Sequence, residues 1–269
     1  MESDKIYNMD GLESDKIYNM DCLEGMRRIP TASIDAIICD LPYGTTACEW
    51  DTIIPFDKLW EQYKRIAKPD APIVLFGTEP FSTMLRMSNL AWFKYDWIWD
   101  KVQGSNFMSA TKRPLMSHEI ISVFYKQLGT YNPQPRKLSA ETIARNNRHF
   151  PDKEFEARTY GTSFVRPDYS GQEYGHPKSI ITFSKETNNQ FVRNKTFHPT
   201  QKPVDLLRYL IRTYSNEGDT ILDNCMGSGT TAVACIKEKR HFIGFELNKE
   251  YYDKACKRID AERRQLSLF

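Results

Sequence analysis

The stretch DNCMGSGTTA, residues 223–232, decides the fold, because it lies between a short apolar run and a helical pattern. A strand, a glycine-rich turn and a helix start in this order are typical of nucleotide-binding α/β proteins. Glu246 follows the next apolar run, 19 residues after Gly227, where an acid can accept hydrogen bonds from ribose hydroxyls. The pattern predicts a cofactor that contains adenosine. By itself it does not distinguish a dinucleotide from S-adenosylmethionine, and it also fits a turn that only packs a helix.

Apolar runs alternate with helical patterns along most of the chain. The predicted strands are residues 16–20, 33–39, 71–77, 95–99, 120–125, 220–222 and 242–245. The predicted helices are residues 56–67, 80–89, 203–214, 230–239 and 249–265. Alternating strands and helices favour a parallel sheet that is covered on both faces. We therefore predict an α/β fold with a Rossmann-like, mostly parallel seven-stranded sheet and helices on both faces.

Composition excludes several classes of protein. The chain is 40% hydrophobic with a net charge of +2, and its apolar runs are far shorter than the roughly 20 residues that cross a bilayer. The acidic, polar N-terminus does not resemble a signal peptide. The six cysteines form no CxxC pair and the five histidines are scattered, which predicts free thiols, no metal and a cytoplasmic protein.

Two segments depart from the alternating pattern. Residues 127–196 contain many turn formers, eleven Lys and Arg, seven Asp and Glu, and nine Phe and Tyr. Such a composition suits phosphate contacts and base stacking, and equally a solvated insertion with its own small core. Near the N-terminus, residues 2–13 recur almost unchanged as residues 13–24, and only the second copy continues into the predicted fold. Residues 1–12 are therefore predicted to form a duplicated arm.

A second loop, ICDLPYG at residues 38–44, places Asp40 and Tyr43 on either side of the pair Leu41-Pro42. Ligands of open α/β sheets bind at the carboxyl ends of strands, so this loop and the glycine-rich loop should line one crevice. Methylation of an exocyclic amine needs such residues. A carboxylate and a backbone carbonyl can accept its N–H groups while an aromatic ring stacks on the extruded base. A hydride-transfer enzyme has no evident use for them. The alternative is a plain turn with a packed tyrosine.

These motifs resemble those of the amino-directed DNA methyltransferases, which make N6-methyladenine or N4-methylcytosine and usually carry Asp-Pro-Pro-Tyr or Ser-Pro-Pro-Tyr. The motif order is similar to that of the family's β group, with the catalytic loop first, the recognition region next and the cofactor loop last. Further matches are MDCLEGM at 20–26, HPTQKP at 198–203 and FIGFE at 242–246. The resemblance covers residues 16–126 and 197–260.

The resemblance implies S-adenosylmethionine as the cofactor and double-stranded DNA as the substrate. The implied roles in the catalytic loop are Asp40 and the Leu41 carbonyl at the target amine, Tyr43 stacked on the base and Pro42 fixing the bend. The implied cofactor residues are Asp21 at the adenine, Glu246 at the ribose, Asp223, Gly227 and Gly229 near the methionine part, and Thr200 and Lys202 at its carboxylate. The implied division is a catalytic half at 13–126, a target-recognition insertion at 127–196 and a cofactor-binding half at 197–264.

The last five residues, 265–269, form a separate signal. Gln265-Leu266-Ser267-Leu268-Phe269 resembles the peptide by which bacterial replication and repair proteins dock on the sliding clamp. Leucine and aromatic side chains of such a peptide fill a preformed apolar groove. The alternative is a helix end whose leucines cover the sheet. The resemblance implies the clamp as a partner, and a bacterial or phage-encoded, nucleoid-associated protein; a homodimer stays open.

The chain departs from the family pattern at two places. Asn224-Cys225 replaces the usual Pro-Phe, which leaves the shape of the cofactor pocket open. Leu41 replaces the usual proline, but it still supplies a carbonyl, and its position before Pro42 favours an extended backbone. We therefore predict an active, site-specific methyltransferase of the restriction-modification kind, acting on adenine N6 because the loop begins with Asp. The alternatives are N4-cytosine methylation, a non-catalytic DNA- or clamp-binding protein on the same fold and, more distantly, a nicotinamide dehydrogenase.

Overall fold

The computed structural model describes residues 12–45, 51–105, 107–147, 154–157, 162–165, 171–184 and 201–266. The chain divides into two compact units. The larger unit comprises Met1–Asn132 and Ser179–Phe269, and the smaller unit comprises Pro133–Lys178.

Twelve strands and seven α-helices occur in the described residues. The strands are β1 (Lys16–Tyr18), β2 (Ala36–Cys39), β3 (Ile73–Gly77), β4 (Phe93–Ser105), β5 (Met116–Phe124), β6 (Arg136–Lys137), β7 (Glu154–Ala157), β8 (Thr162–Val165), β9 (Tyr174–Gly175), β10 (Ile180–Thr182), β11 (Thr220–Asp223) and β12 (His241–Phe245). The helices are α1 (Cys22–Arg27), α2 (Phe56–Ile66), α3 (Phe81–Ser88), α4 (Ala140–Asn146), α5 (Val204–Tyr214), α6 (Thr230–Lys237) and α7 (Lys249–Leu266).

An eight-stranded sheet forms the centre of the larger unit, in the order β1-β12-β11-β2-β3-β5-β4-β10. Every described pair in it is parallel except the two pairs that β5 makes with β3 and β4. The seven predicted strands correspond to β1 to β5, β11 and β12, and the five predicted helices correspond to α2, α3, α5, α6 and α7. The predicted α/β fold with a mostly parallel sheet is therefore confirmed.

The sheet has one strand more than the seven predicted. Strand β10 pairs in parallel with Ile98–Asp100 of β4 at the edge of the sheet, although it lies inside the segment 127–196 that was expected to be an insertion. Only its central residue, Ile181, is buried. A three-residue edge strand in a polar context carries too little alternation to be recognised. The smaller unit consequently ends at Lys178, and Ser179 already belongs to the larger unit.

The central strands are buried on both faces. Side chains of β2 alternate between two apolar layers, as the two-residue period of a strand requires. Ala36 and Ile38 belong to the layer that packs on α5, α6 and α7, whereas Ile37 and Cys39 belong to the layer that packs on α1, α2 and α3. The continuous apolar runs of β2 and β3 are thus explained by helices on either side.

The smaller unit contains helix α4 and two short antiparallel ladders. Strand β6 pairs with β9, and strand β7 pairs with β8. The Ser139 hydroxyl caps α4 by accepting the Thr142 N–H. Leu138 is buried, and its Cδ2 lies close to Gly175, where an added Cβ would approach it to 2.8 Å. Small ladders joined by loops explain why residues 127–196 showed little periodicity.

The second copy of the duplicated segment is part of the fold. It supplies β1, which pairs in parallel with β12 at the edge of the sheet. Residues 1–11 of the predicted arm lie outside the described residues, and Leu12 is buried in the apolar layer next to α1. The described helices include none that is both long enough and apolar enough to cross a membrane.

Candidate active site

The carboxyl ends of four parallel strands meet at one edge of the sheet, beside a cavity of about 490 Å³. Asp40 follows β2, Asp223 ends β11, Glu246 follows β12 and Asp21 lies after β1. All four residues line the cavity. Because β1, β12, β11 and β2 are parallel neighbours, residues that are far apart in the sequence reach the same crevice.

Asp223 holds the glycine-rich loop in place. The Cys225 N–H donates to Asp223 Oδ1 over 3.0 Å, and the Thr231 hydroxyl donates to Asp223 Oδ2 over 2.5 Å. These bonds tie the end of β11 to the loop and to the first turn of α6. Burial raises the pKa of Asp223 to about 6, although the hydrogen bonds favour the ionised form.

Two glycines allow the loop to turn into helix α6. Gly227 has φ +53° and Gly229 has φ +74°, in the left-handed region that side chains other than glycine rarely adopt. Gly229 is the residue before α6, and a Cβ at this position would lie 3.2 Å from the Ala255 Cβ of α7. Gly227 also lines the cavity. The backbone conformation therefore requires both glycines, and α7 packs closely behind the second.

Glu246 joins β12 to the same loop. The Gly227 N–H donates to Glu246 Oε2 over 2.8 Å, and the Asn248 N–H donates to Glu246 Oε1 over 2.7 Å. Burial raises the pKa of this carboxyl group, and the backbone hydrogen bonds oppose the rise. Each carboxylate oxygen retains a lone pair, so the residue can still accept a hydrogen bond from a ribose hydroxyl.

Asp21 caps helix α1, which the apolar periodicity did not predict. Its Oδ1 accepts the Leu23 N–H over 2.9 Å and the Glu24 N–H over 3.1 Å. The spacing of Asp21 and Glu24 is similar to that of a capping box and is the signal that could have revealed the helix. The capping residue itself lines the cavity.

The unusual Asn224 of the glycine-rich loop has a buried partner. The Tyr63 hydroxyl of α2 donates to Asn224 Oδ1 over 2.5 Å. Asn224 Nδ2 in turn lies 3.4 Å from Cys225 Sγ. Burial raises the pKa of Tyr63 well above its ordinary value, so this phenol remains a donor. Burying a polar side chain without a hydrogen-bond partner costs free energy. Asn224, which stands where the family usually has proline, has such a partner in Tyr63.

The catalytic loop brings its acid and its aromatic residue together. The Tyr43 hydroxyl donates to Asp40 Oδ1 over 2.5 Å, and the Lys202 ammonium lies 2.5 Å from Asp40 Oδ2. The Tyr43 ring packs beside Phe81 at 5.1 Å between centroids. Burial raises the pKa of Asp40, and burial together with Asp40 raises the pKa of Tyr43 well above its ordinary value. Each carboxylate oxygen of Asp40 thus accepts a short hydrogen bond, Oδ1 from the Tyr43 hydroxyl and Oδ2 from the Lys202 ammonium.

The backbone of the catalytic loop is anchored on both sides of Tyr43. Before it, the Leu41 side chain is buried in the apolar layer formed with α1, α2 and α3. After it, the Gly44 and Thr45 N–H groups each donate to the Asp51 carboxylate over 2.9 Å. Asp51 was not predicted from the sequence. A leucine at the second position of the loop therefore contributes a buried side chain that holds the loop to the core.

Two further charged residues lie behind the catalytic loop. The Lys202 ammonium lies 3.3 Å from Glu119 Oε2, and the Lys101 ammonium lies 3.3 Å from Glu119 Oε1. Burial alone would raise the pKa of Glu119, but Lys202 and Lys101 together lower it. Burial lowers the pKa of Lys202, whereas Asp40 and Glu119 raise it. The net effect is a raised pKa. These four residues form an ionic network at the wall of the cavity.

The predicted site residues fall into three groups. Those that line the cavity are Asp21, Asp40, Leu41, Pro42, Tyr43, Lys202, Asp223, Gly227 and Glu246. Gly229 lies just behind the cavity, at the start of α6. Thr200, Leu268 and Phe269 lie outside the described residues; Gln265 is exposed in the last turn of α7, whose final residue is Leu266.

A family model described as DNA methylase, for N6 and N4 methyltransferases, matches residues 34–257 of the chain. The chain belongs to this DNA methylase family. The match contains the catalytic loop, the ionic network and the glycine-rich loop. The four strands whose ends surround the cavity lie within it, except β1.

Curated relatives of the methylase cover most of its length. The type II methyltransferase M.HpaI of Haemophilus parainfluenzae is 29% identical over 252 residues, which are 89% of this chain and 72% of the relative. The type II methyltransferase M1.MboII of Moraxella bovis is 30% identical over 244 residues, 85% of this chain and 90% of the relative. The DNA adenine methyltransferase YhdJ of Escherichia coli K12 is 27% identical over 248 residues, 87% of this chain and 79% of the relative.

Solved structures show the same fold as the methylase. The M1.HpyAVI–SAM complex matches with a TM-score of 0.60 at 23% identity, and the match covers 91% of this chain and 98% of the M1.HpyAVI chain. The cytosine-N4-specific PvuII DNA methyltransferase matches with a TM-score of 0.63 at 18% identity and covers 90% of this chain and 84% of its own.

Sequence reasoning missed Glu119, Lys101 and Asp51 as parts of the methylase site. Glu119 and Lys101 lie in segments that resembled the family, but nothing in their spacing linked them to Asp40. Across the part of the chain that the structure describes, no three or more His, Cys, Asp or Glu side chains form a group that could hold a metal ion.

The buried Asp223 gives a prediction for the stability of the methylase. A carboxyl group with a raised pKa in the folded state binds more protons there, so its contribution is fully present at low pH and is lost as the pH rises through about 6. We expect the free energy of unfolding of Asp223→Asn, relative to that of wild type, to rise with pH, because asparagine carries no charge to bury. The difference should grow from about pH 4 to about pH 7 and then level off, as measured by urea unfolding.

Asp260→Asn is the matched control, because Asp260 is exposed on α7. It should leave the pH dependence of the unfolding free energy as in wild type. A difference between Asp223→Asn and wild type that does not vary with pH would show that ionisation of Asp223 is not the cause.

Proposed function

We propose that this methylase transfers the methyl group of S-adenosylmethionine to the exocyclic N6 amine of an adenine that is flipped out of double-stranded DNA. The observation that carries the proposal is the convergence of the loops after β2, β11 and β12 on one cavity. Asp40 and Tyr43 of the first loop line it together with Asp223 and Glu246. A site for an amine and a site for an adenosine-containing cofactor are thus adjacent.

The described residues fit this cofactor. Glu246 presents carboxylate oxygens suited to ribose hydroxyls, and Gly227 lets the backbone approach the methionine part closely. Asp21 would contact the adenine, Asp223 would lie near the methionine part, and Thr200 would hold its carboxylate. The resemblance also assigns Lys202 to that carboxylate, but the Lys202 ammonium is already paired with Asp40 and Glu119. When bound, the cofactor supplies an electrophilic methyl group on a sulfonium. That the structural match M1.HpyAVI was solved with SAM supports this assignment.

On the catalytic side, the residues of the chain orient the amine. An ionised Asp40 and the Leu41 carbonyl would accept its two N–H groups, which makes the nitrogen lone pair available for attack on the methyl carbon. The amine nitrogen would accept the methyl group that the cofactor supplies, in exchange for the bond to sulfur, and would gain a positive charge. Its surplus proton would then leave along the hydrogen bond to Asp40 or to solvent. Tyr43 would stack on the base, with Pro42 fixing the bend.

Adenine is favoured over cytosine as the target. The loop begins with Asp rather than Ser, and one relative is named as a DNA adenine methyltransferase. A structural match at lower identity is named as cytosine-N4-specific, so N4 methylation remains the alternative on the same fold. Both bases present an exocyclic amine, so the chemistry of Asp40 and Leu41 does not itself discriminate between them.

DNA recognition is proposed for the smaller unit and the segment around it. Two relatives are named as type II methyltransferases, which supports site-specific modification of the restriction-modification kind. The basic and aromatic residues of segment 127–196 suit contacts to phosphates and bases. The relatives come from bacteria, which supports a bacterial, cytoplasmic and DNA-associated protein.

The C-terminal peptide is proposed to dock on a bacterial sliding clamp. Helix α7 continues to Leu266, and Gln265 is exposed, so the peptide begins at an accessible end of the fold. The match to QLSLF supports this partner, whose apolar groove would take Leu266, Leu268 and Phe269. Docking would bring the methylase to newly replicated DNA.

Methyl transfer by this protein can be tested directly. We expect wild-type protein to place N6-methyladenine in genomic DNA, as detected by mass spectrometry of the digested product. Asp40→Ala should lower the rate by about 10² to 10⁴, because the amine loses its acceptor. Leu41→Pro should change it by less than about tenfold, because proline supplies the same carbonyl and restores the usual family residue.

Each other outcome has a clear meaning. N4-methylcytosine without N6-methyladenine would overturn the choice of base. Equal losses in Asp40→Ala and Leu41→Pro would overturn the proposed loop geometry. Binding of DNA by the wild-type protein without any methyl transfer would favour a non-catalytic binding protein on this fold.

Clamp docking has its own test. Deleting residues 265–269 should abolish co-elution with purified bacterial clamp while methyl transfer stays within about twofold of wild type, since the deletion begins at the exposed Gln265 in the last turn of α7. Ser267→Ala keeps the leucines and the phenylalanine and should retain co-elution. Unchanged co-elution after the deletion would contradict the proposal.

A further inference from the structure

Four charged side chains form a continuous line behind the catalytic loop. The Lys202 ammonium lies 2.5 Å from Asp40 Oδ2 and 3.3 Å from Glu119 Oε2. The Lys101 ammonium lies 3.3 Å from Glu119 Oε1. We call Asp40, Lys202, Glu119 and Lys101 the charge line. Asp40 is partly exposed, and the other three residues are buried.

Charges alternate in sign along the charge line, so that two cations balance two carboxylates. A buried charge that loses its partner is strongly unfavourable. Each member also comes from a different element: Asp40 follows β2, Lys202 precedes α5, Glu119 lies in β5 and Lys101 lies in β4. The line therefore fixes the catalytic loop relative to the β4–β5 pair.

Lys202 is enclosed as well as paired. Its ammonium lies 5.8 Å from the centroid of the Tyr43 ring and 5.3 Å from that of the Phe76 ring. The two acceptors that it meets are the carboxylates of Asp40 and Glu119. Two rings and two carboxylates define its position, and through it the position of Asp40.

We propose that Lys202 and Glu119 are positioning residues: Lys202 keeps Asp40 ionised and holds its carboxylate toward the target amine, and Glu119 holds Lys202 in that place. This inference rests on the proposed function. An ionised carboxylate only accepts hydrogen bonds, whereas a protonated one also donates, so the loop can bind both amine N–H groups only when Asp40 is ionised. Lys202 and Glu119 act through Asp40.

The two residues influence Asp40 in opposite directions. Burial raises the pKa of Asp40, Lys202 opposes the rise, and Glu119 adds to it. Among the described residues, further titratable groups close to Asp40 are Tyr43 of the same loop, Cys39 of β2 and Asp223 of β11. Because Lys202 and Glu119 oppose each other, neutral substitutions at the two positions should shift the titration of Asp40 in opposite directions.

The test is the pH dependence of kcat at saturating S-adenosylmethionine and DNA. For Lys202→Met, the acidic limb should move to higher pH by about one unit or more, with activity at neutral pH reduced at least about tenfold and partly recovered at high pH. For Glu119→Gln, the acidic limb should move to lower pH. The KM for DNA should stay within about threefold of wild type for both, because neither residue touches the duplex.

Lys257→Met is the matched control, since Lys257 is exposed on α7. It should leave the acidic limb where wild type has it. Absence of a shift, or shifts of the same sign for Lys202→Met and Glu119→Gln, would overturn the inference. A higher KM for S-adenosylmethionine with an unchanged pH profile in Lys202→Met would instead assign Lys202 to the cofactor carboxylate and also overturn it.

A readout without turnover separates this inference from the proposed function. Carbon-13 NMR of labelled aspartate carboxyl groups follows the titration of Asp40, and the signal missing from Asp40→Asn assigns it. The same opposite shifts are expected in Lys202→Met and Glu119→Gln. If wild-type protein transfers no methyl group, the proposed function fails, while the NMR titrations still support or overturn the charge line.

Independently, the β4–β5 hairpin projects beyond the carboxyl edge of the sheet. Strand β3 ends at Gly77 opposite Ile120, whereas β4 continues to Ser105, which pairs with Met116. At its base, Lys101 and Glu119 belong to the charge line, so the hairpin rises beside the catalytic loop. The pairing register of β4 and β5 shifts between Asp100, which pairs with His118, and Ser105, so β4 has additional residues on this side of the hairpin.

The tip of this hairpin is both apolar and basic. Phe107 is 71% exposed and Met108 is 100% exposed. Lys112 and Arg113 are also exposed, and residues 102–117 contain no Asp or Glu. Proteins that deform duplex DNA insert apolar side chains between base steps and bind the phosphates with cations.

We infer that this tip docks on duplex DNA beside the target base, with Phe107 and Met108 as the apolar contact and Lys112 and Arg113 at phosphates. This inference, too, rests on the proposed function. The excess of positive charge favours DNA over a second copy of the protein, because two identical basic tips would repel each other.

Two double variants test the hairpin. Phe107→Ser with Met108→Ser should lower kcat/KM on genomic DNA at least about tenfold and leave the Kd for S-adenosylmethionine unchanged. Lys112→Ala with Arg113→Ala should weaken DNA binding and reduce the slope of log affinity against log salt by about 2. Met87→Ser is the control, since Met87 is 67% exposed at the end of α3 and should change neither quantity.

Wild-type kcat/KM and salt slope in both double variants would overturn the inference. A wild-type dimer that dissociates in Phe107→Ser with Met108→Ser, measured by sedimentation, would assign the tip to a second copy and also overturn it. Failure of the wild-type protein to methylate DNA would count against the proposed function, whereas the salt slope would still test the hairpin.

Discussion

Burial of both faces of the central strands is the constraint on which the larger unit depends. Side chains of β2 and β3 alternate between two apolar layers, each covered by helices, so neither face can be left to solvent. The connections from β2 to β3 and from β11 to β12 each contain a helix and lead to a parallel neighbour, and the carboxyl ends of the parallel strands lie at one edge. The loops after β2, β11 and β12 converge for this reason, and Asp40, Asp223 and Glu246 meet around one cavity.

The same burial makes charge costly at that edge, and the site resolves this cost in two ways. On the cofactor side, Asp223 and Glu246 accept hydrogen bonds from backbone N–H groups and a hydroxyl, and their pKa values are raised. On the catalytic side, Asp40 and Glu119 are paired with lysines. Neutral donors, and not lysines, thus hold the two carboxyl groups of the cofactor side, which suits a ligand that carries a sulfonium. The catalytic side holds a balanced set of charges in which Asp40 faces the cavity.

Patterns that depend on neighbours along the chain were predictable. The periodicity of apolar residues predicted seven of the strands and five of the helices. Gly227 and Gly229 predicted a tight turn, and both have the positive φ that glycine adopts readily. Helix α1 was missed because its six residues are too short for a periodic stripe, although Asp21 and Glu24 carried a capping signal. Strand β10 was missed because its three residues form a strand only by pairing with β4, and this pairing leaves no pattern in the sequence.

The sequence by itself determined the fold class and the two loops. It pointed to Asp40, Tyr43 and Glu246 because they follow apolar runs and strand ends of a parallel sheet share one edge, whereas Asp223 followed from the family resemblance. Only the tertiary structure decided what surrounds Asp40. Lys202 lies 162 residues from Asp40 in the sequence, and Glu119 and Lys101 come from an antiparallel strand pair. Which buried charges pair depends on how separate helices and strands pack against one another. Contacts between residues so far apart in the sequence produce no periodic pattern or fixed spacing that the sequence would show.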